Sequence, residues 1–146
     1  MAQIVGDKPK HRSERDVLEI LAQITTDDWL IASGISFRRV EQGRTTFSDA
    51  DIMLANPMFG FVFIEVKGGQ IRRGRKGWEQ RNDGIWESIT PEEQVSSAQR
   101  HVIKYLKTHG VLPKHRTVPS IPKVVFPNAE RPIQPLGPAM ADTALF

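Results

Sequence analysis

Two carboxylates and one lysine in the middle of the chain have the types and spacing of a catalytic site. Glu65 and Lys67 are two positions apart at the end of a strongly apolar run, so on a β-strand both side chains point to the same face. Asp51 lies in the preceding apolar segment, and a turn at Asn56-Pro57 separates the two. If the segments are antiparallel neighbours, Asp51 and Glu65 meet at the same end of a sheet.

The chemistry of this trio is that of a metal-dependent hydrolase. Two close carboxylates repel each other, and a bound divalent cation relieves that repulsion. Oxygen ligands favour Mg²⁺ or Mn²⁺, whereas zinc is not expected, because the chain has no cysteine and its histidines lack a ligand frame. Beside such an ion, Lys67 can orient an attacking water or stabilise charge growing on a phosphate. The alternative is a surface ion pair between Glu65 and Lys67 on an edge strand.

The surrounding patterns predict the elements that position these residues. A first helix is predicted to begin with Ser13 as its cap and to end near residues 25–28. A second is predicted from a Thr90 cap, with Pro91 as its first residue, to Gly110. Between and after them, strand patterns lie over residues 29–31, 35–40, 51–55, 60–66 and 124–126.

The remaining segments are predicted to be a small insertion and two terminal segments without regular structure. Residues 70–89 have the pattern of a small antiparallel insertion with a hairpin turn at Asp83-Gly84. Residues 1–12 are predicted to be a loose lead-in. The tail is expected to be a linker, because seven of the ten prolines lie beyond Leu112.

Composition limits the class of protein. The 146 residues fit one domain, and 39% hydrophobic with 25% charged residues is typical of a globular chain rather than a disordered one. The sequence shows no apolar stretch of the kind that a signal peptide or a membrane span requires, and the absence of cysteine fits a reducing compartment. We therefore expect a cytoplasmic protein without a membrane partner. A net charge of +3 is compatible with phosphate-backbone binding but does not demand it.

The order of motifs resembles a known family. The motifs are SDADIML at 48–54, FVFIEVKGG at 61–69, Gly77-Trp78, Trp86, and PEEQ at 91–94. Together they are similar to the nuclease-related domain (NERD) family of the PD-(D/E)XK nuclease superfamily, and especially to the branch fused to superfamily-one DNA helicases. The proline that names the superfamily does not precede Asp51.

The resemblance implies an α/β fold with a restriction-endonuclease-like core. A helix, a three-strand antiparallel meander, a second helix and a last parallel strand would build a central mixed sheet of four to five strands, with a small β-hairpin insertion. The resemblance covers roughly residues 13–126. We therefore expect a nuclease domain over residues 1–126 and a Pro-rich tail or linker over residues 127–146.

The resemblance also implies roles for single residues at the centre. Asp51, Glu65 and the carbonyl of Val66 would bind Mg²⁺ or Mn²⁺, and Lys67 would be the catalytic lysine. Asp49 is the second choice for the metal-binding aspartate, because it shares a face with Asp51 by strand alternation.

Two further residues match the family's pattern. Glu14 would be an extra acid that holds a second metal or a water, and the alternative is a carboxylate that compensates the helix dipole. Gln94 would touch the metal-bound water or the DNA backbone, and the alternative is an ordinary polar residue in the first turn of a helix.

A basic, aromatic segment is the candidate for nucleic-acid contact. Its cations can track phosphates, and its tryptophan rings can stack on unpaired bases. The alternatives are a solvated surface and a pair of tryptophans packed across the hairpin. The candidates are Arg72, Arg73, Arg75, Lys76 and Trp78, with Trp86 as a second ring.

These inferences combine into one functional expectation. The chain is expected to be a DNA nuclease of DNA repair or processing that acts on single-stranded, double-stranded or branched DNA. It is further expected to be tethered to or associated with a helicase. One alternative is a non-catalytic nucleic-acid-binding module that serves a helicase, and another is a purely structural interaction domain.

Overall fold

Two β-sheets and two α-helices make up the part of the chain that the computed structural model describes, residues 2–129 and 144–145. In chain order the elements are β1 (Gln3–Gly6), α1 (Arg12–Ile24), β2 (Leu30–Glu41), β3 (Arg44–Asn56), β4 (Gly60–Val66), β5 (Ile71–Gly74), β6 (Gly77–Asn82), β7 (Ile85–Ile89), α2 (Pro91–Thr108), β8 (Ser120–Val125) and β9 (Ala144–Leu145).

The larger sheet is mixed and has the order β1-β2-β3-β4-β8-β9. Strands β2, β3 and β4 form an antiparallel meander. The chain then crosses through α2 and returns as β8, which pairs parallel to β4. This confirms the expected restriction-endonuclease-like arrangement of a helix, three strands, a helix and a parallel strand.

The sheet is wider than expected, because two short strands extend its edges. Gln3–Gly6 pairs parallel to β2, so the prediction of a loose lead-in over residues 1–12 was wrong for this part. At the other edge, Ala144–Leu145 pairs parallel to β8, although the tail shows no packing pattern in the sequence. The domain boundary at residue 126 stays a prediction.

The strand β4 separates two hydrophobic cores, which explains its continuous apolar run. On one face α1 packs its buried Val17 and Leu18 in a core with Ile64. On the other face α2 packs Val95 and further residues in a core with Phe63. The exposed fractions of Phe63 and Ile64 are 0% and 5%, so neighbouring residues of this strand are buried on opposite faces.

The helices begin and end close to the predicted residues, but the predicted capping contacts differ in part from those observed. His11, not Ser13, is the N-cap of α1, because the Arg15 N–H already donates to the His11 carbonyl (3.2 Å). Thr90 is the N-cap of α2 as predicted, but its side chain makes no capping hydrogen bond. Gly110, with a φ of +74°, follows the end of α2. Neither helix in the described part is long and apolar enough to cross a membrane.

The insertion is a three-stranded sheet of β5, β6 and β7 rather than a single hairpin. Its predicted turn is confirmed: Asp83 and Gly84 both have positive φ (49° and 80°), as a two-residue type I′ turn requires. Trp78 lies opposite Ile89 in the ladder, and Trp86 lies opposite Arg81. The two tryptophans are therefore not cross-strand partners, and that alternative was wrong.

Candidate active site

One cleft of about 760 Å³ gathers most of the residues with catalytic chemistry. Six parts of the fold contribute to its lining: the start of α1, β3, the end of β4, the loop after β4, β6 and the segment after β8. Glu14, Asp51, Glu65 and Lys67 all face it. Asp49 is exposed and is not among the lining residues, so the structure brings Asp51 to this cleft instead.

An irregularity in the sheet sets the position of Asp51. The β2–β3 ladder passes from the pair Ser33–Ile52 to the pair Ile35–Ala50 without pairing the residues between them. Ala50 packs in the core under α2, whereas Ile52, only two residues later, packs in the core under α1. Regular alternation would place both on one face, so the side-chain direction changes at Asp51.

The irregularity has a counterpart on the neighbouring strand. Opposite Asp51, Gly34 has a φ of +60°, a conformation that side chains rarely adopt. Released from regular pairing, the Asp51 carboxylate oxygen Oδ2 accepts a hydrogen bond from the Val66 N–H at 2.8 Å. Asp51 is thereby tied to the end of β4, where Glu65 and Lys67 lie.

Glu65 and Lys67 form a largely buried ion pair. The Lys67 Nζ lies 3.0 Å from Glu65 Oε1, and the two side chains are 17% and 12% exposed. Because β4 lies inside the sheet between β3 and β8, this is not the surface pair on an edge strand that the sequence left open. Glu65 also shares a hydrogen bond with Asp51.

Burial raises the pKa of three carboxyl groups of the cleft, those of Glu14, Asp51 and Glu65. Burial, and then the charge of Asp51, raise the pKa of Glu65 to about 7 against the opposing effect of Lys67. Burial also raises the pKa of Asp51, although the Val66 N–H opposes it. The pKa of Glu14 is raised by burial and by Asp51. A bound cation would favour the ionised forms of Asp51 and Glu65 and relieve the repulsion between them.

The donors present fit Mg²⁺ or Mn²⁺ better than a zinc ion. Within the described ranges no three histidine or acidic side chains are grouped so that they could hold a metal ion. Mg²⁺ does not need such a cage, because it keeps several waters and is usually bound through one or two carboxylates. Asp51 and Glu65 supply two carboxylates, and Val66 lines the same cleft.

The comparison with known families agrees with this geometry. Residues 9–127 match the sequence model of the nuclease-related domain, NERD. This chain belongs to the NERD family. No curated protein and no solved structure matches it. The match covers both helices, strands β2 to β8 and every residue that lines the cleft except Asn128.

Some predicted site residues lie outside the cleft of this NERD domain. Gln94 is exposed in the first turn of α2 and is not among the lining residues. Arg72 makes an ion pair with Glu79 (3.2 Å) and stacks over the Trp86 ring (4.1 Å). Three more predicted cations of the insertion also lie away from the lining: Arg73, Arg75 and Lys76. Roles for Gln94 and these four cations stay predictions.

The base-stacking role suggested for Trp78 disagrees with its burial. Trp78 is 3% exposed, and its ring lies 4.7 Å from that of Phe126 in the core under α2. A ring enclosed in this way presents no free face to a base. The sequence pattern did not separate this position from Trp86, because both lie in strands of the same insertion.

The cleft also contains polar residues that the sequence analysis missed. The Gln80 amide donates to the Gly68 carbonyl (2.9 Å), and the Asn128 side chain accepts from the Gly69 N–H (3.1 Å). Both hold the loop that follows Lys67. Asn128 could have been predicted to lie near Lys67. It follows a strand that runs parallel to β4, and the ends of parallel strands lie at the same edge of the sheet. His11 and Asp16 line the rim through α1.

Proposed function

We propose that this NERD domain is a Mg²⁺- or Mn²⁺-dependent DNA nuclease that hydrolyses phosphodiester bonds. The observation that carries the proposal is that Asp51, Glu65 and Lys67 line one cleft, with Glu65 buried and the other two partly buried. Buried charges are normally retained only where they are paired or hold a ligand. The family match supports nuclease-related chemistry in the domain that contains these three residues.

Each residue has a distinct task in the proposed reaction. Asp51 and Glu65, with the Val66 carbonyl, would hold the ion. When bound, the ion supplies Lewis-acid chemistry that polarises the phosphate and lowers the pKa of water. Lys67, oriented by its contact with Glu65, positions the attacking water and neutralises charge on the phosphate. Glu14, which lines the same cleft, orients a second water or holds a second ion.

The proposed biological setting is DNA repair or processing beside a helicase. Its support is the likeness of the motif order to domains that precede DNA helicases. Single-stranded, double-stranded and branched DNA all remain candidate substrates.

A non-catalytic nucleic-acid-binding module is the second candidate. One observation favours it: Lys67 is paired with Glu65, and Glu65 is hydrogen-bonded to Asp51, so these groups satisfy one another without a metal ion. Such a module would bind DNA with a salt-dependent affinity that survives Lys67→Ala.

A cleavage panel separates the two candidates. Flap, fork, single-stranded and duplex DNA would be incubated with the protein in Mg²⁺, in Mn²⁺ and in EDTA. The proposal expects cleavage that EDTA and Lys67→Ala both abolish, while Lys8→Ala, which removes an exposed lysine outside the cleft, leaves it intact. If every DNA substrate stays intact in both Mg²⁺ and Mn²⁺, the nuclease proposal is wrong for this chain.

A further inference from the structure

The last third of the NERD domain is depleted of negative charge. Between Gln94 and Ala129 the chain has six lysines and arginines and no aspartate or glutamate. Because the whole chain has a net charge of +3, the remainder has a net charge of −3. The positive charge of this protein is therefore concentrated in α2, the following loop and β8.

Part of the segment between Gln94 and Ala129 lines a cationic groove. The groove has a volume of about 730 Å³ and lies between the second half of α2, the loop after it and the first residue of β8. Four of its lining residues are cationic and none is acidic. These four are Arg100, Lys104, Lys107 and Lys114.

Helix geometry aligns three of these cations. Arg100, Lys104 and Lys107 are spaced four and three residues apart, which places them on one face of α2. Lys114 comes from the following loop. Among the residues that the structure describes, no acidic side chain pairs with any of the four within salt-bridge distance.

Helix stabilisation does not account for this arrangement. A cation in the last turn of a helix interacts favourably with the helix dipole, but that effect is limited to the last turn. Lys107 lies there, whereas Arg100 is further back and Lys114 is outside the helix. A surface face usually mixes charges of both signs, and this one does not.

We propose that this groove binds the phosphate backbone of the nucleic acid at a second place, remote from the catalytic cleft. The inference rests on the proposed function, since it gives the same nucleic acid a second contact. Lysine and arginine side chains without acidic partners are the groups that replace counterions along a phosphate backbone. The Gln99 and Ser120 side chains, which are hydrogen-bonded to each other, add polar donors to the groove wall.

The distance between the cationic groove and the catalytic cleft determines how long a duplex must be to contact both. Ser120 lies in the groove at the start of β8, whereas Asn128 lies in the cleft beyond its end. The six residues of β8 alone span about 17 Å. A duplex advances about 3.4 Å per base pair, so roughly five base pairs separate the two contacts along this direction.

The test measures duplex binding as a function of salt concentration in EDTA, where cleavage cannot occur. Fluorescence anisotropy of a labelled DNA duplex would compare wild type with Lys104→Gln/Lys107→Gln. Each lost phosphate contact lowers the salt slope by about 0.9, so the double variant should have a slope lower by about 1.8. Raising salt from about 50 to about 200 mM should then weaken wild type about twelvefold more than the variant.

A matched variant controls for the change in net charge. Arg38→Gln/Arg44→Gln removes two exposed cations from the β2–β3 hairpin and should leave the slope unchanged. An equal fall in slope for both double variants overturns the inference, because it reports total charge. Anionic lipid vesicles are a second probe: loss of vesicle binding with unchanged duplex binding in Lys104→Gln/Lys107→Gln overturns it in favour of a membrane surface.

The outcomes for the groove and for the nuclease are separable. Cleavage in Mn²⁺ together with an unchanged slope in Lys104→Gln/Lys107→Gln overturns the groove proposal alone. A reduced slope in a protein that cleaves nothing supports the groove proposal, while the nuclease proposal fails. Wild type that binds no duplex at low salt overturns the groove proposal directly.

Discussion

Replacing Glu65 with glutamine should make the stability of the metal-free protein less dependent on pH. In the folded protein the Glu65 pKa is about 7, against an ordinary value of 4.5, so the folded state binds this proton more tightly than the unfolded chain does. The resulting stabilisation is complete below pH 4.5 and is lost as pH rises through 7. At about 1.4 kcal/mol per pKa unit, the loss is about 3 kcal/mol.

The assay is urea unfolding in EDTA, followed by the fluorescence of the three tryptophans, at several values between pH 4.5 and 8. The quantity of interest is the free energy of unfolding of wild type minus that of Glu65→Gln. It should fall by about 3 kcal/mol across this range, because glutamine keeps the size of the side chain and does not ionise. Glu93→Gln, which changes an exposed carboxylate in the first turn of α2, is the control and should change far less.

A difference that stays flat with pH would refute the reasoning. It would mean that Glu65 ionises equally easily in the folded and unfolded states, and therefore that it is not buried against Asp51. A saturating concentration of Mn²⁺ at pH 8 offers an independent check. An ion that binds only the folded state stabilises it by about 2.7 kcal/mol at one hundred times its Kd, and Glu65→Gln should remove most of that gain.

Three further outcomes follow from the same contacts. Mn²⁺ affinity, measured by calorimetry, should rise as pH increases and level off above about 7, because the ion must displace the Glu65 proton; a flat profile would contradict this. Gly68→Ala should lower the free energy of unfolding by about 1–3 kcal/mol, because the new methyl overlaps the Ser13 side chain on α1, and unchanged urea unfolding would count against that overlap. Trp78→Ala should cost about 3–5 kcal/mol in the same assay, more than Trp86→Ala, and the reverse order would show that the insertion packs differently.

The meander and the return strand were predictable because their patterns are local. The apolar run of β4, the Asp83-Gly84 turn and the Pro91 helix start each depend on a few neighbouring residues. Local preferences of this kind are kept in the folded structure when tertiary packing favours the same conformation. The helix–strand order was recoverable for this reason, except that the patterns over residues 29–31 and 35–40 belong to one continuous strand, β2.

The edge strands were not predictable from local pattern. Gln3–Gly6 is exposed along its whole length and has no apolar alternation to mark it as a strand. It pairs because β2 offers a free edge, which is a property of the assembled sheet. Ala144–Leu145 at the other edge is only two residues long, too short to carry a pattern.

The site was predictable in its residue types but not in its geometry. Spacing alone placed Glu65 and Lys67 on one face, and their 3.0 Å contact agrees. The change of side-chain direction at Asp51 depends on Gly34 from another strand, and regular alternation gives no sign of it. The amide contacts of Gln80 and Asn128 depend on tertiary structure in the same way.

The most direct test of the central claim is the single-turnover cleavage rate of wild type and Lys67→Ala in saturating Mn²⁺, on the best substrate from the panel. Lys67→Ala should lower this rate by at least about a hundredfold. Equal rates for the two proteins, or no cleavage by wild type, would contradict a nuclease centre at Asp51, Glu65 and Lys67.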